Sequence, residues 1–181
     1  MSKVSYISLG CPKALVDSEH IVTALADEDF SVVGEEEPSG VVVINTCGFI
    51  NHAKAESYSA IEAALDKDQK VVVTGCLGVQ HEDLLSRFPN LEHVSGPGQT
   101  DKVVDAVRKL TGVERPAGRK KTLSGRDAGN RTLLTPEHYA YLKISEGCNH
   151  KCSFCIIPTM RGGLKSRAIG DVVSEAEALA A

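Results

Sequence analysis

Two segments, VVVINTC at residues 41–47 and VVVTGC at residues 71–76, constrain the fold more than any other feature of the sequence. Each sets β-branched residues on consecutive positions and ends in a cysteine. A strand with one wet face alternates apolar and polar residues, whereas a strand covered on both faces is apolar throughout. The two runs therefore predict strands buried on both sides, as in a parallel sheet layered by helices.

The surrounding pattern agrees. Residues 4–10, 30–34 and 92–95 read as further strands. The spacing predicts helices over 12–27, 52–67, 79–87 and 100–111, the first opened by Pro12. Strand and helix alternate, which argues for an α/β fold: an N-terminal, mainly parallel sheet with flanking helices, flavodoxin-like or Rossmann-like. The pattern does not encode the order of the strands.

The character changes after the fourth helix. Residues 113–136 hold several Gly and Pro and the basic residues Arg115, Arg119, Lys120, Lys121, Arg126 and Arg131, and read as a linker. These charges are expected on a solvated face, with contact to RNA or a ribosomal surface as the alternative. Residues 138–145, HYAYLKIS, alternate as a strand does, and 170–181 begin a helix that Asp171 can cap. A strand, a cysteine-rich loop and a helix form the first unit of a (β/α) barrel. Such a barrel takes roughly 200 residues or more, so it is expected to be truncated here. The expected organisation is a domain over 1–112, a linker over 113–136 and the start of a barrel domain over 137–181.

The chain has six cysteines, a formal net charge of −4, no apolar leader in MSKVSYISLG and no apolar stretch of membrane-spanning length. These features predict a cytoplasmic protein with no membrane association. In a reducing compartment, metal binding is a better reading of six cysteines than a disulfide framework. Burial as small apolar side chains is the alternative.

Cys148, Cys152 and Cys155 form C-x3-C-x2-C in EGCNHKCSFC. Three thiolates from one short loop can enter a small volume and ligate an iron–sulfur cluster. Zinc, with His150 as fourth ligand, is the rival, although zinc sites usually draw on two separated ligand pairs. Three cysteines leave one iron of a cubane without a protein ligand. Phe154 is placed to pack beside the cluster or in ordinary core. With its x-aromatic-C ending, the motif resembles the radical S-adenosylmethionine superfamily. That resemblance implies S-adenosylmethionine bound at the open iron and cleaved to a 5′-deoxyadenosyl radical.

Cys11, Cys47 and Cys76 lie far apart in sequence, yet each ends a predicted strand, with Gly10, Gly48 and Gly75 beside them. In an open parallel sheet the carboxyl ends of the strands share one edge, where ligands bind. Three buried cysteines at strand ends is the alternative. Asn45 and Thr46 either donate to cluster sulfurs or close a turn.

The segments SLGCPKALVDSE, INTCGFINHAKAES and VTGCL resemble the N-terminal domain of the methylthiotransferase family. The resemblance implies that Cys11, Cys47 and Cys76 hold a second four-iron four-sulfur cluster carrying the sulfur to be transferred. Pro12 and the stretch EGCNHKCSFCIIPTMRG are similar to the branch that modifies the β-carbon of an aspartate in small-subunit ribosomal protein twelve. The other branch modifies an adenosine in tRNA. Ala14, Gly163 and Ala168 depart from the usual pattern of the first branch. The resemblance further implies two S-adenosylmethionine-dependent steps, an electron donor such as flavodoxin or ferredoxin, and a monomer. The isolated 181 residues are expected not to turn over. A non-enzymatic iron–sulfur module is the remaining alternative.

Overall fold

A computed structural model describes residues 2–37, 39–114 and 131–180. Strands β1 (Lys3–Ser8), β2 (Ser31–Val33), β3 (Val41–Thr46), β4 (Lys70–Gly75) and β5 (His93–Val94) form one sheet. Its order is β2-β1-β3-β4-β5, and every neighbouring pair is parallel. Helices α1 (Pro12–Asp27), α2 (Asn51–Leu65), α3 (His81–Arg87) and α4 (Thr100–Thr111) make the connections or follow the last strand.

The valine runs generate the layers. All six residues of β3 are buried. Val41 and Val43 pack with Ile21 and Leu25 of α1 and with Val103 and Val107 of α4. Val42 and Ile44 face the opposite way and pack with Ile61 of α2 and Leu84 of α3. β4 repeats the division, with Val72 on the first face and Val71 and Val73 on the second. Each such side chain contributes about 1.5–3 kcal/mol relative to exposure. A polar substitution in β3 is therefore costly whichever face it meets.

The strand order selects between the two expected arrangements. Winding runs from β1 outward to β2 on one side and to β3, β4 and β5 on the other, which is the flavodoxin-like order. The reversal lies between β1 and β3. In open α/β sheets, ligands bind in the crevice outside the carboxyl ends of the strands at this reversal.

The C-terminal segment is built differently from the expectation. Residues 138–145 were expected as one strand, but only β6 (Ser145–Glu146) forms, antiparallel to β7 (Lys165–Ser166). Alternation makes a strand only when a neighbouring backbone takes up its hydrogen bonds. Here the Tyr141 and Lys143 carbonyls accept from the side chains of Arg131 and Arg167 instead. Helices α5 (Ile157–Arg161) and α6 (Ile169–Ala180) complete the segment. Among the described residues, no helix is long and apolar enough to cross a membrane.

Candidate metal centre

The first three cysteines emerge from consecutive strand ends. Cys11 follows β1 and stands at the N-cap position of α1, ahead of Pro12. Cys47 directly follows β3, and Cys76 directly follows β4 at the start of a single 3-10 turn, Leu77–Val79. All three are free thiols; Cys11 is exposed, Cys47 half-buried and Cys76 buried. Since β1, β3 and β4 are adjacent and parallel, the thiols share the carboxyl edge of the sheet, across the winding reversal. The backbone is shaped around them. Gly10 has φ +102°, and a methyl group there would stand 3.0 Å from Cys47 Cβ and 3.4 Å from its Sγ. Gly75 has φ +95°, and a methyl group there would meet Asn45 Oδ1 at 2.3 Å. Neither position accepts a side chain without rearrangement.

Asn45 and Thr46 are not free donors. Asn45 Nδ2 donates to the Ala14 carbonyl at 2.7 Å and to Ser18 Oγ at 2.8 Å, which fastens β3 to α1. Thr46 Oγ1 donates to the Thr74 carbonyl at 2.6 Å. Neither closes a turn, as one reading expected; both instead tie β3 to its neighbours α1 and β4. Ser57 Oγ accepts from the Cys47 amide at 3.0 Å and fixes that residue from α2.

The second set lies on the loop between β6 and α5. The Cys148 amide donates to the Gly162 carbonyl at 3.1 Å, and the Cys155 amide to the Cys152 carbonyl at 3.1 Å. Asn149 Oδ1 accepts from the Leu164 amide at 2.8 Å and closes the loop on its return strand. Cys148 and Cys155 are half-buried and Cys152 is exposed. The exposed His150 gives its backbone N–H to Cys148 Sγ at 3.4 Å. Phe154 is 92% exposed and takes no part in the core that the described residues form.

Among the described residues, no three His, Cys, Asp or Glu side chains converge closely enough to hold a single metal ion. The sulfurs that ligate a four-iron cubane stand farther apart than the ligands of one ion. The donor chemistry of both sets, three free thiols each, fits such a cluster.

What sequence reasoning missed is the charge network joining the two sets. Asp17 and Glu19 of α1 are both buried. Arg161, at the end of α5, donates through Nη1 to Asp17 Oδ2 at 3.1 Å and to Glu146 Oε2 at 3.0 Å. Lys143 pairs with Asp17 and, at 3.0 Å, with Glu146. Burial would raise the Glu146 pKa, but the Lys143 and Arg161 charges outweigh it and hold the carboxyl down at about 2. Burial also raises the Cys76 thiol pKa, opposed by the adjacent Arg161 guanidinium.

A second clasp sits two residues further along α1, at Glu19. Arg131 Nε lies 3.0 Å from Glu19 Oε2, and the same side chain pairs with Glu175 of α6, which also binds Arg167. The Leu134 amide donates to Glu19 Oε1 at 3.0 Å. Arg131 was expected on a solvated face, but its side chain is only 3% exposed. Arg115, Arg119, Lys120, Lys121 and Arg126 lie outside the described residues. The signal available in sequence was two acids, Asp17 and Glu19, set between the apolar Val16 and Ile21 of α1.

Residues 3–96 match the family described as Uncharacterized protein family UPF0004. The match takes in the whole five-stranded sheet and the strand-edge cysteines, and the chain belongs to this family. Over 98% of its length it is 53% identical to the ribosomal protein uS12 methylthiotransferases RimO of Bordetella pertussis (strain Tohama I) and Pseudomonas aeruginosa (strain UCBPP-PA14). It is 52% identical over the same share to that of Pseudomonas putida (strain F1). The chain spans about 40% of the length of these curated relatives and corresponds to their N-terminal portion.

Proposed function

We propose that this chain is the cluster-bearing N-terminal part of a radical S-adenosylmethionine methylthiotransferase. Its substrate in this reading is an aspartate β-carbon of small-subunit ribosomal protein uS12. The observation that supports it most is the ion-pair network that ties α1, which begins after Cys11, to Glu146 and Arg161, which flank the loop of Cys148, Cys152 and Cys155. Cys11, Cys47 and Cys76 would hold one four-iron cluster at the sheet edge. Cys148, Cys152 and Cys155 would hold the other. When bound, these clusters and S-adenosylmethionine supply one-electron cleavage chemistry and the sulfur that is transferred.

The chain's own residues supply position and exclusion. Three thiolates per triad leave one iron open to a non-protein ligand. The buried acids of α1 hold the segment carrying the second triad against the domain carrying the first. The burial of Cys76 keeps water from that side of the first site. A protein electron donor of the flavodoxin or ferredoxin class, a cytoplasmic location, a monomeric state and a domain boundary within residues 113–136 belong to the same reading.

The test is mass spectrometry of ribosomal protein uS12 and of tRNA from cells lacking the full-length gene. The expected result is loss of one methylthio group from uS12, restored by the gene. Loss from tRNA with uS12 unchanged would overturn the substrate assignment.

A further inference from the structure

Arg161 carries one feature that its ion pairs do not explain. Its side chain is 2% exposed. Nη1 is fully used by Asp17 and Glu146, but Nη2 is buried and meets no nitrogen or oxygen acceptor, which leaves the neighbouring Cys76 sulfur as the acceptor within the guanidinium's reach. A buried, charged donor left unpaired costs more than an ordinary hydrogen bond contributes, so such groups in native structures are met by a protein group, a water or a ligand. The guanidinium adjoins the Cys76 thiol, which lies at the sheet edge with Cys47 and Cys11. Ligation requires that thiol as a thiolate, and a buried thiolate needs a compensating donor.

We infer that Arg161 donates through Nη2 to a thiolate or sulfide of the cluster held by Cys11, Cys47 and Cys76. The inference rests on the cluster assignment proposed above. Arg161 is then a positioning residue with two attachments. It follows the loop of Cys148, Cys152 and Cys155 by one short helix, and it reaches the cluster of the other triad. Asp17 and Glu146 fix the plane of the guanidinium, so the free nitrogen is directed rather than mobile. Hydrogen bonds to cluster sulfur stabilise the reduced form and raise the reduction potential.

The experiment uses the full chain with Cys148, Cys152 and Cys155 all changed to Ala, so that only the strand-edge site can load. It is reconstituted anaerobically with iron and sulfide, with Arg161 intact, as Arg161→Lys and as Arg161→Leu. The midpoint potential is read by redox titration, and exchangeable protons near the cluster by electron–nuclear double resonance in deuterated water. The expected result is a shift to more negative potential in Arg161→Leu, a smaller shift in Arg161→Lys, and loss of one strongly coupled exchangeable proton in Arg161→Leu. A purely structural role would not remove that proton. An unchanged potential and proton coupling in a loaded Arg161→Leu protein would overturn the inference. Failure of the parent with Arg161 intact to load iron would overturn the cluster assignment itself. Should Arg161→Leu not load, Arg161→Lys decides by the same two readouts.

Discussion

Arg161 Nη1 and Asp17 Oδ2 meet at 3.1 Å although the residues are 144 positions apart in sequence, and both side chains are nearly closed to solvent. This contact places the end of the second cysteine loop against the helix that begins at the first cysteine. Glu19, one step further along α1, does the same for Arg131 and, through it, for α6. Helix α1 is thus both a layer of the sheet domain and the surface on which the C-terminal segment is seated.

Removing one partner of a buried pair leaves the other charge uncompensated. Glu19→Gln is expected to destabilise the chain by roughly 3 kcal/mol, the lower end of the usual range, since Arg131 keeps Glu175. Urea unfolding measures the loss, and hydrogen exchange should quicken at the amides of Thr132 and Leu134, which are bonded to α1. An unaltered unfolding midpoint would contradict the seating role of Glu19.

Gly75 tests the shape of the strand-edge site separately from its chemistry. A methyl group there meets the Thr46 carbonyl oxygen at 2.4 Å and the Thr46 nitrogen at 2.7 Å, on a backbone with φ +95°. Both the contact and the left-handed backbone oppose Ala. Gly75→Ala is expected to cost at least ~2 kcal/mol, read as a fall in thermal midpoint. Gly40→Ala, at a glycine with open space around it, is the control and should change little.

The acid side of the stability profile should carry the signature of His20. Burial first, then the Arg131 and Lys143 charges, lower its pKa from 6.5 to about 4, against the opposing charges of Glu175 and Asp17. The folded chain therefore prefers neutral imidazole. Below 6.5 the unfolded chain binds a proton that the folded chain refuses until about 4, so stability falls as pH falls through this window. Unfolding free energy measured from pH 7 to 4 is expected to fall less steeply in His20→Gln. Equal slopes in the two proteins would contradict the neutral state of the half-buried His20.

The sheet was legible because its two central strands are apolar on both faces, a pattern that few other structures require. The strand-edge cysteines were legible for the same reason, each standing at the end of a recognisable apolar run. Strand order was not legible, since hydrophobic runs carry no information about which neighbour they pair with. Arg131, Asp17 and Glu19 were hidden by the ordinary tendency of charged side chains to stay in water. Their burial follows from long-range pairing, which leaves no local periodicity. In the strand expected over 138–145, two carbonyls are taken by the side chains of Arg131 and Arg167, which no local alternation records.

The most direct measurement is iron and acid-labile sulfide per chain after anaerobic reconstitution, in three proteins: the parent, a Cys11/Cys47/Cys76→Ala variant and a Cys148/Cys152/Cys155→Ala variant. Two independent four-iron sites predict about eight irons in the parent and about four in each variant. Stoichiometric zinc with no iron absorption in the parent, or loss of all iron from either variant alone, would contradict two separate cluster sites.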